Sequence, residues 1–329
     1  MATAILFVVL GLVTLVLGAE SLVRGAASLA LRLGVSALVV GLTIVAAGTS
    51  APEMGVSVLA ALRGSGDIAI GNVVGSNIFN IALILGLAAA ICPIKCHSAF
   101  IRRETPLMIG VCCLVPLLAW LGGGVITRWA GLALLAGGVW YTALVYWLAR
   151  KEKGEVADQF EAGAAPGEPA EAARKRPVWL DGLYILVGLG LLVGGSRLLV
   201  GGATTIARSL GVSDLVIALT VVAGGTSLPE LATSVVAALR KQPDIAVGNV
   251  VGSNIFNVLF ILGASSAIAP VSVSHEAMVR DIPVMVGVAA LCLPLMATGR
   301  RINRLEGGLL LAAYLAYTAW LIVGARAAA

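Results

Sequence analysis

Charge is scarce in this sequence: 12% of its 329 residues are Asp, Glu, Lys or Arg, where a soluble domain carries about 25%. With 59% hydrophobic residues and a mean hydropathy of +1.02, that shortage excludes an ordinary water-soluble globule. Histidine is nearly missing. Its two copies, His97 and His275, fall in loops between apolar runs. No His-Glu-x-x-His zinc motif or nucleophile–base arrangement can be assembled, which argues against an enzyme and against a resident cofactor. The cysteines are few and odd in number: Cys92, Cys96, Cys112, Cys113 and Cys292. Three lie inside apolar runs, which argues against a disulfide framework.

What the chain has is apolar length. A membrane-crossing helix needs about 20 apolar residues, and runs of that kind lie near 3–23, 37–62, 68–91, 106–122, 129–148, 181–206, 214–239, 245–268, 282–298 and 306–325. The first has no basic leader and continues into apolar sequence, so it reads as a retained helix rather than a cleaved signal. The net charge of +5 fits basic loops that orient a membrane protein and requires no nucleic acid.

The chain also repeats itself at an offset of 177 residues. Glu53 falls on Glu230, Gly48-Thr49-Ser50 on Gly225-Thr226-Ser227, Asp67 on Asp244, and the run Gly71–Asn80 on an identical run Gly248–Asn257. After Pro106 and Pro283 the register slips by about one residue. Five spans per half is an odd number, so the second half enters the membrane from the opposite side. The fold class expected is an all-α membrane protein of ten transmembrane helices in two inverted-topology five-helix repeats, with sites at the midplane between them. Residues 1–149 form the first repeat, 150–177 a solvated linker, and 178–329 the second repeat. The Cys92, Cys96 and His97 group is weak as a soft-metal site, because the repeat places Ala269, Val273 and Ser274 there. Lys and Arg gather in one set of loops (Arg32, Lys95, Arg102, Arg103, Arg240, Lys241, Arg300, Arg301 and the linker), which predicts a cytoplasmic linker and outward-facing termini.

Two acids stand inside the apolar spans, Glu53 and Glu230, and no Lys or Arg repeats nearby to neutralise them. A carboxylate at membrane depth costs at least a few kcal/mol and faces a cavity or a partner. Pro52 and Pro229 have no N–H for the carbonyls of Gly48 and Gly225, so spans 2 and 7 are expected to break there. Thr49, Ser50, Thr226 and Ser227 place hydroxyls beside the acids. Ser76 and Asn80, repeated as Ser253 and Asn257, stack at i, i+4 and add neutral oxygens. An all-oxygen set suits a hard cation such as Ca²⁺. Asn77 and Asn254 lie off that face and are free to bridge helices. Asp67 and Asp244 read as N-caps, and Glu20, matched to Arg197, as the snorkelling end of a span.

At Gly41–Arg63 with Asp67–Gly86, and at Ala218–Arg240 with Asp244–Gly263, the sequence resembles the sodium/calcium exchanger branch of the calcium/cation antiporter superfamily. The resemblance extends through the ten-span plan to nearly the whole chain outside the linker. It implies a secondary antiporter that moves three Na⁺ against one Ca²⁺, electrogenically, by sliding the helices matching the first and sixth spans. Glu53 and Glu230 would ligate Ca²⁺ with help from Thr49, Ser50, Thr226 and Ser227. Sodium sites would add Ser76, Asn80, Ser253 and Asn257 and the carbonyls of Ala46 and Ala223. Some members carry Asp at the position of Asn257; the neutral residue here resembles the potassium-independent exchangers. The partners implied are Na⁺, Ca²⁺ and the lipid bilayer of the plasma (inner) membrane, with the protein working as a monomer. A proton/calcium antiporter is the alternative, although that branch resembles a Glu-His motif where this chain has Ser-Asn-Ile-Phe-Asn. A cation channel would not need inverted halves.

Overall fold

The computed structural model describes residues 1–98, 100–151, 177–212, 217, 221 and 223–327. The linker region from 152 to 176 therefore lies outside the described residues, as does much of the predicted stretch 214–222.

The chain is an all-α integral membrane protein. Eight of its described helices are long and apolar enough to cross a membrane. These are α1 (Ala2–Leu33), α4 (Gly66–Ile91), α5 (Phe100–Leu121), α6 (Arg128–Lys151), α7 (Val178–Ser209), α9 (Pro243–Ile268), α10 (Ala277–Arg300) and α11 (Arg304–Ala327). A broken pair, α2 (Ala37–Thr49) and α3 (Ala51–Leu62), bent by 49°, is together long and apolar enough for a ninth crossing. The shorter helix α8 (Leu228–Leu239) is the repeat partner of α3.

Helices α1 and α7 exceed the apolar runs at 3–23 and 181–206, each reaching 32 residues. Apolar length alone underestimates them, because their polar ends find partners. Arg32 Nε lies 2.6 Å from the buried Asp181 Oδ2. Glu20, read as the snorkelling end of a span, pairs at 2.6 Å with Arg240 while its side chain stays 38% exposed. The two helices run antiparallel along their length. Gly11 faces Gly195 and Leu199, Gly18 faces Gly188 and Leu192, and Gly25 faces Asp181 and Ile185. A Cβ at Gly18 would stand 2.9 Å from Gly188 O and Leu192 N, both rigid backbone, so glycine is what permits the close approach.

The loops at the two ends are tied across the halves by short antiparallel ladders. β1 (Ile94–Lys95) pairs with β4 (Arg301–Ile302), and β2 (Val125–Ile126) with β3 (Val271–Ser272). The repeat relates one ladder to the other, and each joins one strand from each half. Two buried or half-buried acids absent from the sequence reading anchor the outer helices. Glu104 accepts from Arg103 Nε at 2.7 Å and from Tyr141 Oη at 3.1 Å. Its repeat mate Asp281 accepts from Arg280 Nε at 2.8 Å and Tyr317 Oη at 2.7 Å. Asp67 and Asp244 are not N-caps: those positions belong to Ser65 and Gln242, and the acids sit in the first turn. All five cysteines are free, and no group of three His, Cys, Asp or Glu able to hold a metal occurs among the described residues, Cys92, Cys96 and His97 included.

Gly18→Leu is expected to cost about 1–3 kcal/mol by overpacking. Thermal unfolding in detergent should show this as a lowered midpoint. Gly190→Leu, where nothing lies within 4 Å, should leave the midpoint close to that of the parent.

Candidate cation site

The break in the second span is local. Ser50 (φ −81°, ψ 8°) ends α2, and α3 restarts at Ala51 with Pro52 in its first turn. Ser227 (φ −88°, ψ 8°) does the same before α8, with Pro229 in the first turn. Proline is tolerated there because its N–H would be unpaired in any case. The geometry places Glu53 and Glu230 in the first turns of α3 and α8, where the positive ends of the helix dipoles favour a carboxylate. Both side chains are buried, at 1% exposure. No Lys, Arg or His pairs with either of them among the described residues.

Each carboxylate is held by the other half. Ser227 Oγ donates to Glu53 Oε1 at 2.7 Å, and Ser50 Oγ donates to Glu230 Oε1 at 2.8 Å. Ser76 Oγ lies 3.3 Å from Ser227 Oγ. The Thr49 hydroxyl lies 3.0 Å from Val45 O and 3.1 Å from Asn249 Oδ1. Ala46 O, one of the carbonyls implied by resemblance, accepts the Ser50 N–H at 3.0 Å. Ala223 lies in the short helical turn Ala223–Gly225 before the second break. The Gly225 carbonyl freed by Pro229 does not open toward a cavity: Ser196 Oγ of α7 donates to it. The first half has Ala19 at the position of Ser196 and cannot copy this.

Helices α4 and α9 widen into π-type turns at Phe79–Leu85 and Asn257–Leu262. Such bulges are frequent at functional sites, and here they carry Asn80 and Asn257. Asn257 Nδ2 donates to Asn77 Oδ1 at 2.9 Å, and Asn77 Nδ2 lies 3.4 Å from Asn254 O. Asn77 therefore bridges helices, and Asn257 turns its oxygen away from its amide partner. Two residues missing from the sequence reading brace the breaks. Asn72 Nδ2 reaches Glu53 O at 3.2 Å and Ser57 Oγ at 2.9 Å. Asn249 Nδ2 does the same to Glu230 O and Ser234 Oγ at the same distances. Their place in the repeated Gly-Asn run was visible in sequence, but their targets, 15 and 19 residues away, were not.

The telling feature is what lacks a donor. Glu53 Oε2, Glu230 Oε2, Asn80 Oδ1, Asn257 Oδ1, Thr226 Oγ1 and Ser253 Oγ are buried and accept nothing from the protein. Buried polar atoms are rarely left this way, because each unmade bond costs about 1–3 kcal/mol. These six come from the paired motifs of both repeats, two are carboxylate, and all are oxygens of the kind a hard cation binds.

Comparison with known proteins agrees with this chemistry. The family model described as "Sodium/calcium exchanger protein" matches residues 3–147 and 181–323. A protein named putative antiporter CaxA, from Alkalimonas amylolytica, is 44% identical over 285 residues, covering 83% of this chain and 84% of that one. The sodium/calcium exchanger MaX1 of Methanosarcina acetivorans is 33% identical over 297 residues, covering 83% and 85%. The solved sodium–calcium exchanger NCX_Mj, soaked with Na⁺ and Sr²⁺, superposes with a TM-score of 0.79 at 30% identity, covering 97% of this chain and 98% of its own.

Glu53→Gln and Glu230→Gln keep the shape and remove one charge each. Removing one member of a buried charge arrangement costs about 3–5 kcal/mol, so each is expected to weaken Ca²⁺ binding by about two orders of magnitude or more. Calcium titration of thermal stability in detergent reads this directly. An unshifted titration in either variant would remove that carboxylate from the site.

Proposed function

The chain belongs to the sodium/calcium exchanger family, and we propose that it is a secondary active antiporter exchanging Na⁺ for Ca²⁺ by alternating access. The observation that carries this reading is the pair of buried carboxylates, each with one oxygen held by a serine of the opposite half and the other left open. Two negative charges balance one Ca²⁺ or two Na⁺, so the two ions compete for one pocket and cannot share it cheaply. A third Na⁺ would leave one positive charge to be held by neutral oxygens, and exchange at that ratio moves net charge across the membrane.

In this reading Ca²⁺ takes Glu53 and Glu230 with Thr49, Ser50, Thr226 and Ser227. Sodium ions add Ser76, Asn80, Ser253, Asn257 and the carbonyls of Ala46 and Ala223. The architecture is ten spans in two inverted five-helix repeats with breaks in the second and seventh. The antiparallel run of α1 against its repeat mate α7 supports it. The protein works as a monomer in the plasma (inner) membrane, with the linker cytoplasmic and the termini outside, as the distribution of Lys and Arg favours. The neutral Asn257 supports exchange without K⁺.

Purified protein in vesicles should take up Ca²⁺ when driven by an outward Na⁺ gradient, and not when driven by a proton or K⁺ gradient alone. Uptake driven by the proton gradient instead would replace this reading with a proton/calcium antiporter. Conduction with no counter-ion would replace it with a channel. Asn257→Asp removes the donor to Asn77 Oδ1 and adds a titratable charge beside the site. Its transport rate should depend more steeply on pH than the parent's. A profile unchanged from the parent's would place position 257 outside the ion pathway.

A further inference from the structure

Among the described residues, two that are not glycine occupy the left-handed region of the backbone: Lys241 (φ 57°) and Arg300 (φ 51°). Both are basic. Lys241 stands where the first half has Gly64 (φ 74°). Arg300, in the register that follows Pro283, stands where the first half has Gly124 (φ 91°). Side chains are disfavoured here because Cβ crowds the neighbouring carbonyl. At each turn one half therefore uses the comfortable residue, while the other tolerates strain to carry a cation. An outlier of this kind, held by the surrounding structure, points to a function.

The fold brings the two strained turns to the same end of the bundle, around the segment 94–97. Cys96 N–H donates to Arg300 O at 2.8 Å, and Lys95 lies opposite Arg301 in the β1–β4 ladder. His97 Nε2 lies 3.4 Å from Asp244 Oδ1, three residues beyond Lys241. Lys95, Lys241, Arg300 and Arg301 are all exposed. The nearby acids are already engaged: Asp244 by His97, Glu306 by the Asn303 N–H at 2.8 Å, and Glu20 by Arg240. The four cations thus have no acidic partner among the described residues. Two residues before Lys241 and four after Arg301, Leu239 and Leu305 are 58% and 71% exposed, as residues that meet lipid tails are. The cations then stand one step above the tails, at the level of lipid headgroups.

We propose that Lys95, Lys241, Arg300 and Arg301 form a docking surface for the phosphate of anionic phospholipid headgroups. The bound lipid fastens the turn entering α9 to the cross-half ladder β1–β4. This inference stands apart from the identity of the transported ions and from the direction of insertion.

The test compares thermal unfolding of the full-length protein in detergent supplemented with phosphatidylglycerol or with phosphatidylcholine. Phosphatidylglycerol should raise the midpoint by several degrees and phosphatidylcholine should not. The double variant Lys241→Gly/Arg300→Gly installs the residues of the other half and relieves the strain. Its midpoint without lipid should equal or exceed that of the parent, while its response to phosphatidylglycerol should be lost or at least halved. Lys95→Gln/Arg301→Gln, altering residues in ordinary conformations, should lose the response as well. Equal stabilisation of parent and both variants by phosphatidylglycerol would overturn the assignment, as would a parent indifferent to it. A matching shift with glycerol phosphate or inorganic phosphate would replace the lipid surface with a site for free anions.

Discussion

A carboxylate withdrawn from water into an apolar bundle loses several kcal/mol of hydration, and only a nearby positive charge and good hydrogen bonds return it. Glu53 and Glu230 are placed in that situation together, and the protein supplies no cation of its own to either. It offers partial measures: a serine hydroxyl on one oxygen of each, and the positive end of the helix that each acid begins. The remaining deficit is what a bound cation would make good, as the proposed function requires. The breaks at Ser50 and Ser227 and the bracing by Asn72 and Asn249 hold the two acids in place.

The same logic explains why the halves are interlocked rather than merely adjacent. The hydroxyl on each carboxylate crosses from the other half. Both loop ladders cross as well, β1 with β4 and β2 with β3. Asn77 and Asn257 meet across the centre. Against this network, α1 and α7 form a separate surface of glycines meeting backbone, fixed at one end by Arg32 and Asp181. Small residues give close van der Waals contact between backbones with few side-chain interlocks.

Much of this was legible in sequence, and for a definite reason. A repeat writes every important position twice, so Glu53 with Glu230 and the Gly71–Asn80 run with its copy stood out from the apolar background. Proline marked the breaks, and the structure places them within two residues of Pro52 and Pro229. Much of what stayed hidden depended on contacts between the halves, across more than 150 residues. Sequence gave no means to see that Ser227 serves Glu53, or that Ser50 serves Glu230. Nor was Arg240 visible as the neighbour of Glu20, 220 residues away. Glu104 and Asp181 went unremarked because each lies at the edge of an apolar run, where acids are common and burial cannot be read. The ends of α1 and α7 were set short because their final turns are polar, and only the partner helix makes those turns worth keeping.

The crossing of Ser50 and Ser227 bears on how the molecule is made. Translation delivers residue 53 to the membrane long before residue 227 exists, so for that interval Glu53 has neither its hydroxyl nor its facing acid. Until the second half arrives, the nascent first half holds an incomplete pocket with nothing to select an ion. The ability to discriminate between ions therefore appears at a single moment in biogenesis, when the two halves first close on one another, and it cannot be inherited from either piece alone.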